Sequence, residues 1–366
     1  MTAPADTAVH PEGQPDYVAQ VATVPFRMGR PEELPGTLDE VRAAAAARAG
    51  EAVRGLARPG ARTDLDALLA QVRQTRAALA PAGTVPVGDD PAESEANRDN
   101  DLAFGIVRTR GPVTELLVDA ALAALVGILE VAADRGSHLD EPAWERLLGG
   151  FDALLDWLAD PHSAPRPRPV PAVAPPGPPV HQDALRRWVR GHHVFMVLAQ
   201  GCALATACMR DSAARGDLPG AEASAAAAEA LMRGCQGALL YAGDANREQY
   251  NQQIRPTLMP PVAPPKMSGL HWRDHEVLIK ELARSREAWE WLAARGSVRP
   301  AAFRAALGEA YDSHIGVCDH FVGDQSPSLL AAQGSSRSAV GVIGQFRKIR
   351  LSSLPEQPAT PEGDPS

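Results

Sequence analysis

The spacing of apolar residues constrains this fold more than any other feature, because they recur every three or four positions along nearly the whole chain. A period of 3.6 residues keeps side chains on one face of an α-helix, whereas a half-buried strand needs strict alternation. The clearest example is one stretch of seven apolar residues: Trp144, Leu147, Leu148, Phe151, Leu154, Leu155 and Leu158. No alternating run of β-branched residues bounded by turns is evident. The sequence therefore predicts an all-α fold.

Capping and helix-breaking residues divide the chain into segments. Thr37 and Glu40 have the spacing of a capping box that opens an Ala-rich helix. The stretch from Pro161 to Pro179 is rich in proline and predicts an extended crossing over the surface. Because the first half has no chemistry of its own, we expect the helices on both sides of the crossing to form one bundle. The predicted segments are a disordered leader at 1–36, N-terminal helices at 37–160, a Pro-rich linker at 161–180, C-terminal helices at 181–350 and a tail at 351–366.

Charge and composition exclude several classes of protein. The net charge is -9 and the 36 Lys and Arg residues are scattered, so no basic surface for nucleic acid is expected. The longest apolar stretch contains Asp119 and Glu130, and the N-terminus lacks the apolar run of a secretory signal. The four cysteines form no CxxC pair, which is typical of reduced thiols rather than of a disulfide framework. We therefore expect a cytoplasmic protein without a membrane span.

His314 and Cys318 are the sharpest candidates for holding a prosthetic group. They lie four positions apart, on the helix face that also carries Phe303 and Phe321, so both side chains project inward one turn apart. The imidazole could ligate a haem iron, and a thiol about 5.4 Å along the helix could reach a peripheral vinyl group. A chance pair with a purely structural cysteine is the competing interpretation. His320, turned by roughly 80° or more from His314 on the same helix, is a second candidate ligand.

A proline-rich loop before that helix is the candidate substrate site. It begins with the segment REQYNQQIRPTLMPP at residues 247–261, and its prolines fix φ, which stiffens the backbone. Arg255 could bind a carboxylate through two parallel hydrogen bonds, with Tyr250 nearby. The alternative is that both side chains pair with neighbouring helices.

Three further sets of residues complete the candidates. His271 and His275 are four positions apart and predicted on one face of a helix that begins near Gly269; the absence of an HExxH glutamate disfavours a zinc hydrolase. His275 precedes His314 by 39 residues, which lets two antiparallel helices turn both imidazoles into one cavity. The other two sets are His192 with His193, expected to be core or surface histidines, and Ser335 with Ser336, whose loop could offer backbone N–H groups to an anion or be only a turn.

Together these segments resemble a known family. The IRPTLMPP loop, the SGLHWRDH helix, the HxxxC helix and the GSSR loop are similar to segments of the histidine-ligated, haem-dependent aromatic oxygenases related to tryptophan 2,3-dioxygenase. The resemblance rests mainly on residues 247–337, about a quarter of the chain. It implies a helical bundle like that of the tryptophan and indoleamine 2,3-dioxygenases.

The resemblance also implies a chemistry, that of members which hydroxylate a tyrosine ring. It implies a c-type haem with a single thioether to Cys318, and His314 and His275 as the motif histidines. His314 is preferred as the permanent axial ligand, and His275 as the catalytic group or a weak sixth ligand. The implied reaction converts 3-methyl-L-tyrosine, or a related aromatic amino acid, to 3-hydroxy-5-methyl-L-tyrosine with hydrogen peroxide in tetrahydroisoquinoline antibiotic biosynthesis. Substrate binding is expected from Arg255, Tyr250, Ser335 and Ser336.

Two other functions stay open at this point. A related haem dioxygenase or rearrangement enzyme would act on a tryptophan derivative, because loop residues do not distinguish indole from phenol. A non-catalytic bis-histidine haem protein would instead carry electrons. The Ala-rich stretch at 223–228 permits close packing and a homo-oligomer, although nothing in the sequence requires one.

Overall fold

The structure is a computed structural model that describes residues 24–355 apart from 58–63, 89, 92, 181, 260–262, 264–268 and 324–337. Helices account for most of this part of the chain, which confirms the all-α prediction. The helices are α1 (Leu38–Leu56), α2 (Leu65–Ala78), α3 (Glu95–Ala103), α4 (Val113–Arg135), α5 (Glu141–Ala159), α6 (Asp183–Arg215), α7 (Leu218–Ala242), α8 (Arg273–Arg284), α9 (Arg286–Ala293), α10 (Arg299–Val322) and α11 (Ala339–Leu351). The predicted likeness to tryptophan 2,3-dioxygenase stays a prediction.

A small sheet accompanies the helices. Its strands are β1 (Phe26–Met28), β2 (Val85–Pro86) and β3 (Ile106–Arg110), in the order β1-β3-β2. Strand β1 runs parallel to β3, and β2 runs antiparallel to it. Strands of two to five residues are too short to show the alternation that identifies a strand in a sequence, so the sequence prediction missed them.

The predicted leader at 1–36 is wrong for its last part. Residues 24–36 contain β1 and a 3-10 turn at Pro31–Glu33, while 1–23 lie outside the described residues. Met28 is fully buried, and Phe26 stacks on His193 with ring centroids 4.1 Å apart. Burying two large apolar side chains stabilises the ordered strand by a few kcal/mol (about 1.5 to 3 each), which a solvated leader would forgo.

Helix α7 is the centre of the bundle and packs against α5, α6 and α10. Glycines allow these close approaches: a Cβ on Gly150 of α5 would lie 2.8 Å from the Cα of Gly234 in α7, and one on Gly191 of α6 would lie 2.7 Å from the Cβ of Ala242. Cβ atoms essentially never come that close to a neighbour, so any side chain here would push the helices apart.

One buried apolar cluster runs from Phe26 to Leu354 and draws on helices from both sides of the Pro-rich crossing. The apolar stripe of α5 is buried as its periodicity predicts, with Leu147 and Leu154 fully enclosed. Thr37 caps α1 in the predicted box, accepting a hydrogen bond from the backbone N–H of Glu40. Local pattern and cap chemistry therefore place these helices correctly.

The Pro-rich crossing lies against α4 and α5. The indole Nε1 of Trp144 donates to the carbonyl of Pro171 at 3.1 Å, and the backbone N–H of Ser137 donates to the carbonyl of Ala174, also at 3.1 Å. These bonds satisfy backbone acceptors that proline-rich segments cannot pair among themselves.

Two helices, α4 and α6, are long and apolar enough to cross a bilayer by length and composition. Their most apolar windows are 78% and 83% buried inside the protein. Both are therefore core helices in this fold, whose apolar surface is covered by other helices.

Candidate active site

A cavity of about 340 Å³ lies between α6, α7, α8, α10 and α11, next to the turn at Arg247–Leu258. Its size falls in the range of small-molecule pockets, roughly 300 to 1,000 Å³. Apolar and aromatic side chains form most of the wall. The aromatic ones are Phe104, Trp188, Phe195, Tyr250, Trp272, Tyr311, Phe321 and Phe346.

Helix α10 brings His314 and Cys318 to this cavity together. Phe303, Leu307 and Phe321 on the same face are buried, which holds that face inward, as the spacing predicts. His314 has no hydrogen-bond partner among the described residues. Burial lowers the pKa of His314 to about 4. It is therefore neutral near pH 7, the form that ligates iron.

The Cys318 thiol is protonated at neutral pH, because burial raises its pKa to about 11. The other three cysteines are fully enclosed in the apolar core. A buried core cysteine behaves as a small hydrophobe. Cys318 alone combines partial exposure with a position on the cavity wall among the described cysteines.

His275 reaches the cavity from the first turn of α8. Its Nδ1 lies 3.2 Å from the carbonyl oxygen of Gly269, and a carbonyl only accepts, so Nδ1 carries the hydrogen. Nε2 is then left as a free acceptor. Burial lowers the pKa of His275. A histidine that donates its second N–H to a carbonyl is the usual arrangement around metal-binding imidazoles.

The predicted shared helix of His271 and His275 is wrong. Instead of one helix that begins near Gly269, the structure has a 3-10 turn at Gly269–His271, followed by α8 and α9, which meet at Ser285. His271 and His275 therefore do not share a helix face. It is exposed, with Nδ1 3.7 Å from the carboxylate of Glu276.

Tyr250 and Arg255 reach the cavity from an irregular turn. Tyr250–Ile254 is a π-helical turn and Arg255–Leu258 is a 3-10 turn, and π turns are frequent at functional sites. The Tyr250 ring is buried and stacks on Phe321 at 4.4 Å. Burial raises the pKa of Tyr250, and the positive charge of Arg255 opposes this. Within the described residues Arg255 has no ion-pair partner, so its guanidinium is available to an anion.

The remaining candidate residues do not line the cavity or lie outside the described residues. His320 is outside the cavity lining, and its Nε2 donates to the carbonyl of Ala245 at 3.0 Å. Ser335 and Ser336 lie outside the described residues. His193 is in the core and bonds the carbonyl of Phe104 through Nε2 at 2.7 Å.

His192 lines the cavity, which sequence reasoning missed by assigning it to the core or the surface. Adjacent histidines on a helix point about 100° apart. Their spacing therefore predicts that one of them is buried, but it does not reveal that the other faces a cavity. Arg350 of α11, also missed, lines the cavity as well. A signal for His192 existed in Trp188, Phe195 and Met196, whose spacing from it matches one helix face.

A buried charge cluster anchors α8 just before His275. The Arg108 guanidinium donates to Asp274 at 2.9 and 2.7 Å and to Asp101 at 2.6 and 2.8 Å. Gln200 donates to Asp274 at 2.6 Å and to the carbonyl of Gly29 at 3.1 Å. Because Asp274 is fully buried and paired on both oxygens, it fixes the start of α8 and so the position of its neighbour.

The donor set of this cavity fits a haem group. Three neutral imidazoles, each with a nitrogen free of partners in the described chain, and the partly exposed thiol of Cys318 line the same apolar space as Arg255. Throughout the described ranges no cluster of three or more His, Cys, Asp and Glu side chains could hold a bare metal ion. A macrocycle that supplies most of its own ligands needs only one or two from the protein.

Comparisons with known proteins agree on one family. A family profile described as SfmD 3-methyl-L-tyrosine peroxygenase matches residues 27–306. The 3-methyl-L-tyrosine peroxygenase of Streptomyces lavendulae is 87% identical over 366 residues, which is 100% of both chains. A crystal structure of reduced SfmD, soaked with sodium hydrosulfite, is 86% identical with a TM-score of 0.77, covering 83% of this chain and 100% of that one.

Proposed function

Because this chain belongs to the SfmD family of 3-methyl-L-tyrosine peroxygenases, we propose that it hydroxylates 3-methyl-L-tyrosine with hydrogen peroxide. The chain is an oxidoreductase. The observation that carries the proposal is one apolar cavity that brings His275, His314 and Cys318 together with Arg255. The product is 3-hydroxy-5-methyl-L-tyrosine, a building block of tetrahydroisoquinoline antibiotics. A cytoplasmic location and a homo-oligomeric state stay predictions.

The cofactor of this proposal is a haem held by α10. When bound, the haem supplies the iron chemistry that transfers one oxygen atom from peroxide to an aromatic ring. His314 would hold its iron through a ring nitrogen, and Cys318, one helical turn further on, would hold the macrocycle through a single thioether. The apolar wall excludes water from the site, which strengthens electrostatic contacts inside it.

His275 holds the proton that the reaction must move. Its Nε2 is unprotonated at neutral pH and free of partners, so it can accept a proton from hydrogen peroxide and return it to the departing oxygen. Its Nδ1 bond to Gly269 keeps the ring in the tautomer this requires. His275 would also be able to hold the iron weakly and reversibly through Nε2, which is compatible with this role.

Arg255 binds the substrate carboxylate, and Tyr250 supports it. A guanidinium without an ion pair can take both carboxylate oxygens, and the stack of Tyr250 on Phe321 fixes the wall beside it. Holding the amino-acid end in place restricts the ring position and so selects the carbon that reacts.

Mass spectrometry and product analysis test the proposal together. We expect the denatured wild-type protein to be heavier than its polypeptide by the mass of one covalently bound haem. Denatured Cys318→Ala should lack this additional mass. With hydrogen peroxide and 3-methyl-L-tyrosine, the wild type should form a product heavier by one oxygen. Reduction of the haem without any such product would instead identify an electron carrier, and oxidation of a tryptophan derivative alone would identify the dioxygenase alternative.

A further inference from the structure

We infer that His192 binds the phenol hydroxyl of the substrate, with Nε2 accepting its hydrogen bond inside a cage of aromatic rings. The inference rests on the proposed function and adds to it the residue that distinguishes a tyrosine from a phenylalanine ring. None of the roles assigned above uses this histidine.

Hydrogen bonding fixes the tautomer of His192. Its Nδ1 lies 2.6 Å from the carbonyl oxygen of Trp188, one turn earlier in α6. A carbonyl oxygen only accepts, so Nδ1 is the protonated nitrogen and Nε2 carries the lone pair. Nε2 has no partner among the described residues, and the residue lines the cavity. The cavity therefore presents an unpaired acceptor nitrogen, which can be satisfied by a hydrogen-bond donor such as a hydroxyl group.

His192 stays neutral near pH 7. Burial lowers its pKa to about 4, against a raising contribution from the bond to Trp188. A neutral acceptor complements a phenol O–H, whereas a protonated imidazole would repel that hydrogen. The same neutrality disfavours carboxylate binding at this end of the cavity.

Three aromatic rings surround His192. The centroid distances are 4.3 Å to Trp188, 4.8 Å to Phe104 and 5.0 Å to Trp272. Rings at these separations make offset and edge contacts of the kind that also hold a substrate ring. Apart from the two indole N–H groups, of which that of Trp188 has no partner in the described chain, the cage is apolar and offers one acceptor, Nε2 of His192, for the hydrogen of a phenol hydroxyl.

An aromatic wall connects this cage with the carboxylate end of the cavity. Trp188 lies 6.5 Å from Phe321, and Phe321 stacks on Tyr250, which interacts with Arg255. The two ends of an amino acid with a para-hydroxyl therefore have complementary partners at the two ends of one wall: Arg255 for the carboxylate and His192 for the phenol.

Calorimetric binding to the haem-loaded protein without peroxide tests the inference. The ligands are 3-methyl-L-tyrosine and 3-methyl-L-phenylalanine, which differ only in the hydroxyl. In His192→Phe we expect the Kd of the tyrosine to rise by about 5- to 150-fold, the range for losing one buried hydrogen bond. The Kd of the phenylalanine should stay unchanged. His192→Gln retains an acceptor oxygen and should restore part of the preference, while His320→Gln, outside the cavity, should behave as wild type.

Equal Kd ratios for the two ligands in wild type and His192→Phe would overturn the inference. Loss of haem, or a changed haem absorption spectrum, in both His192 variants would also overturn it, because His192 would then be a ligand of the iron or a structural residue. Turnover is measured separately: a wild type that binds 3-methyl-L-tyrosine but forms no product refutes the proposed function, while the Kd ratios still decide on His192. If the wild type does not bind 3-methyl-L-tyrosine, both fail.

Discussion

In two of the cavity histidines, a single backbone carbonyl determines which ring nitrogen carries the hydrogen. Gly269 accepts from Nδ1 of His275, and Trp188 accepts from Nδ1 of His192, so both rings keep Nε2 as an acceptor. His314 has no such partner within the described chain. The three imidazoles are therefore chemically different although all face one cavity, and each is assigned a different task.

Replacing His275 tests its proton-transfer role. In His275→Ala we expect bound haem to be retained, because His314 and Cys318 hold it, while peroxide-dependent product formation falls by about 10²- to 10⁴-fold, the usual contribution of a general acid or base. Haem content by absorbance and product by chromatography are the two measurements. His271→Ala, on the exposed turn beside it, is the matched control. Turnover that survives in His275→Ala would remove this residue from the mechanism.

Replacing Arg255 tests the carboxylate site. Arg255→Ala should raise KM for the amino acid by about 10- to 100-fold, since a charged hydrogen bond contributes roughly 1.5 to 3 kcal/mol, without changing the haem spectrum. Arg255→Lys should restore only part of this, because an ammonium cannot form the two parallel bonds. Arg247→Ala serves as control: that guanidinium is exposed and bonds the carbonyl of His320. An unchanged KM in Arg255→Ala would place the carboxylate elsewhere.

At the scale of elements, glycine contacts decide how closely the helices pack. Gly149 and Gly150 are neighbours on α5, yet a Cβ on Gly149 meets nothing within 4 Å, whereas one on Gly150 would lie 2.8 Å from Gly234 and 2.9 Å from Leu198. Substitutions at these two glycines therefore distinguish the effect of helix propensity, at Gly149, from the effect of helix packing, at Gly150.

Gly150→Ala should lower the free energy of unfolding by about 1 to 3 kcal/mol, because α5 and α7 must move apart. Gly149→Ala should raise it by up to about 1 kcal/mol, since alanine favours a helix interior more than glycine does. Urea unfolding of both variants measures the difference. Equal effects of the two substitutions would show that α5 and α7 do not meet at Gly150.

Elements with strong local periodicity were predictable, and those made by distant contacts were not. The stripe of α5, the cap at Thr37 and the inward pair on α10 follow from residues within a few turns of each other. Strand β1 and the bond between Arg108 and Asp274 depend on segments 79 to 166 residues apart, which local spacing does not reveal. The orientation of His192 similarly depends on where the neighbouring helices leave space.

At the scale of the whole molecule, stability should depend on pH through buried histidines. Burial lowers the pKa of His193 to about 3, against an unfolded value near 6.5. Between these values the unfolded chain binds more protons, so the free energy of unfolding falls as pH falls below about 6.5. Burial raises the pKa of Asp101 from 3.8 to about 6, which contributes with the opposite sign below pH 6.

His193→Phe isolates the histidine contribution. It keeps an aromatic ring against Phe26 and removes the titrating group, so the decline in unfolding free energy from about pH 7 to about pH 5 should become shallower, by up to about 1.4 kcal/mol per pH unit. Urea unfolding at several pH values measures both slopes. Parallel curves for the two proteins would exclude His193 as a source of the pH response.

The Arg108 cluster also has a consequence for how the protein is made. It joins Gly29 beside β1, Asp101 and Asp274, so the start of α8 cannot settle until most of the chain has left the ribosome. Contacts of such sequence separation form slowly because a large loop must close first. His275 is then among the last parts to reach its position, and we expect haem capture to follow folding of the bundle rather than to guide it.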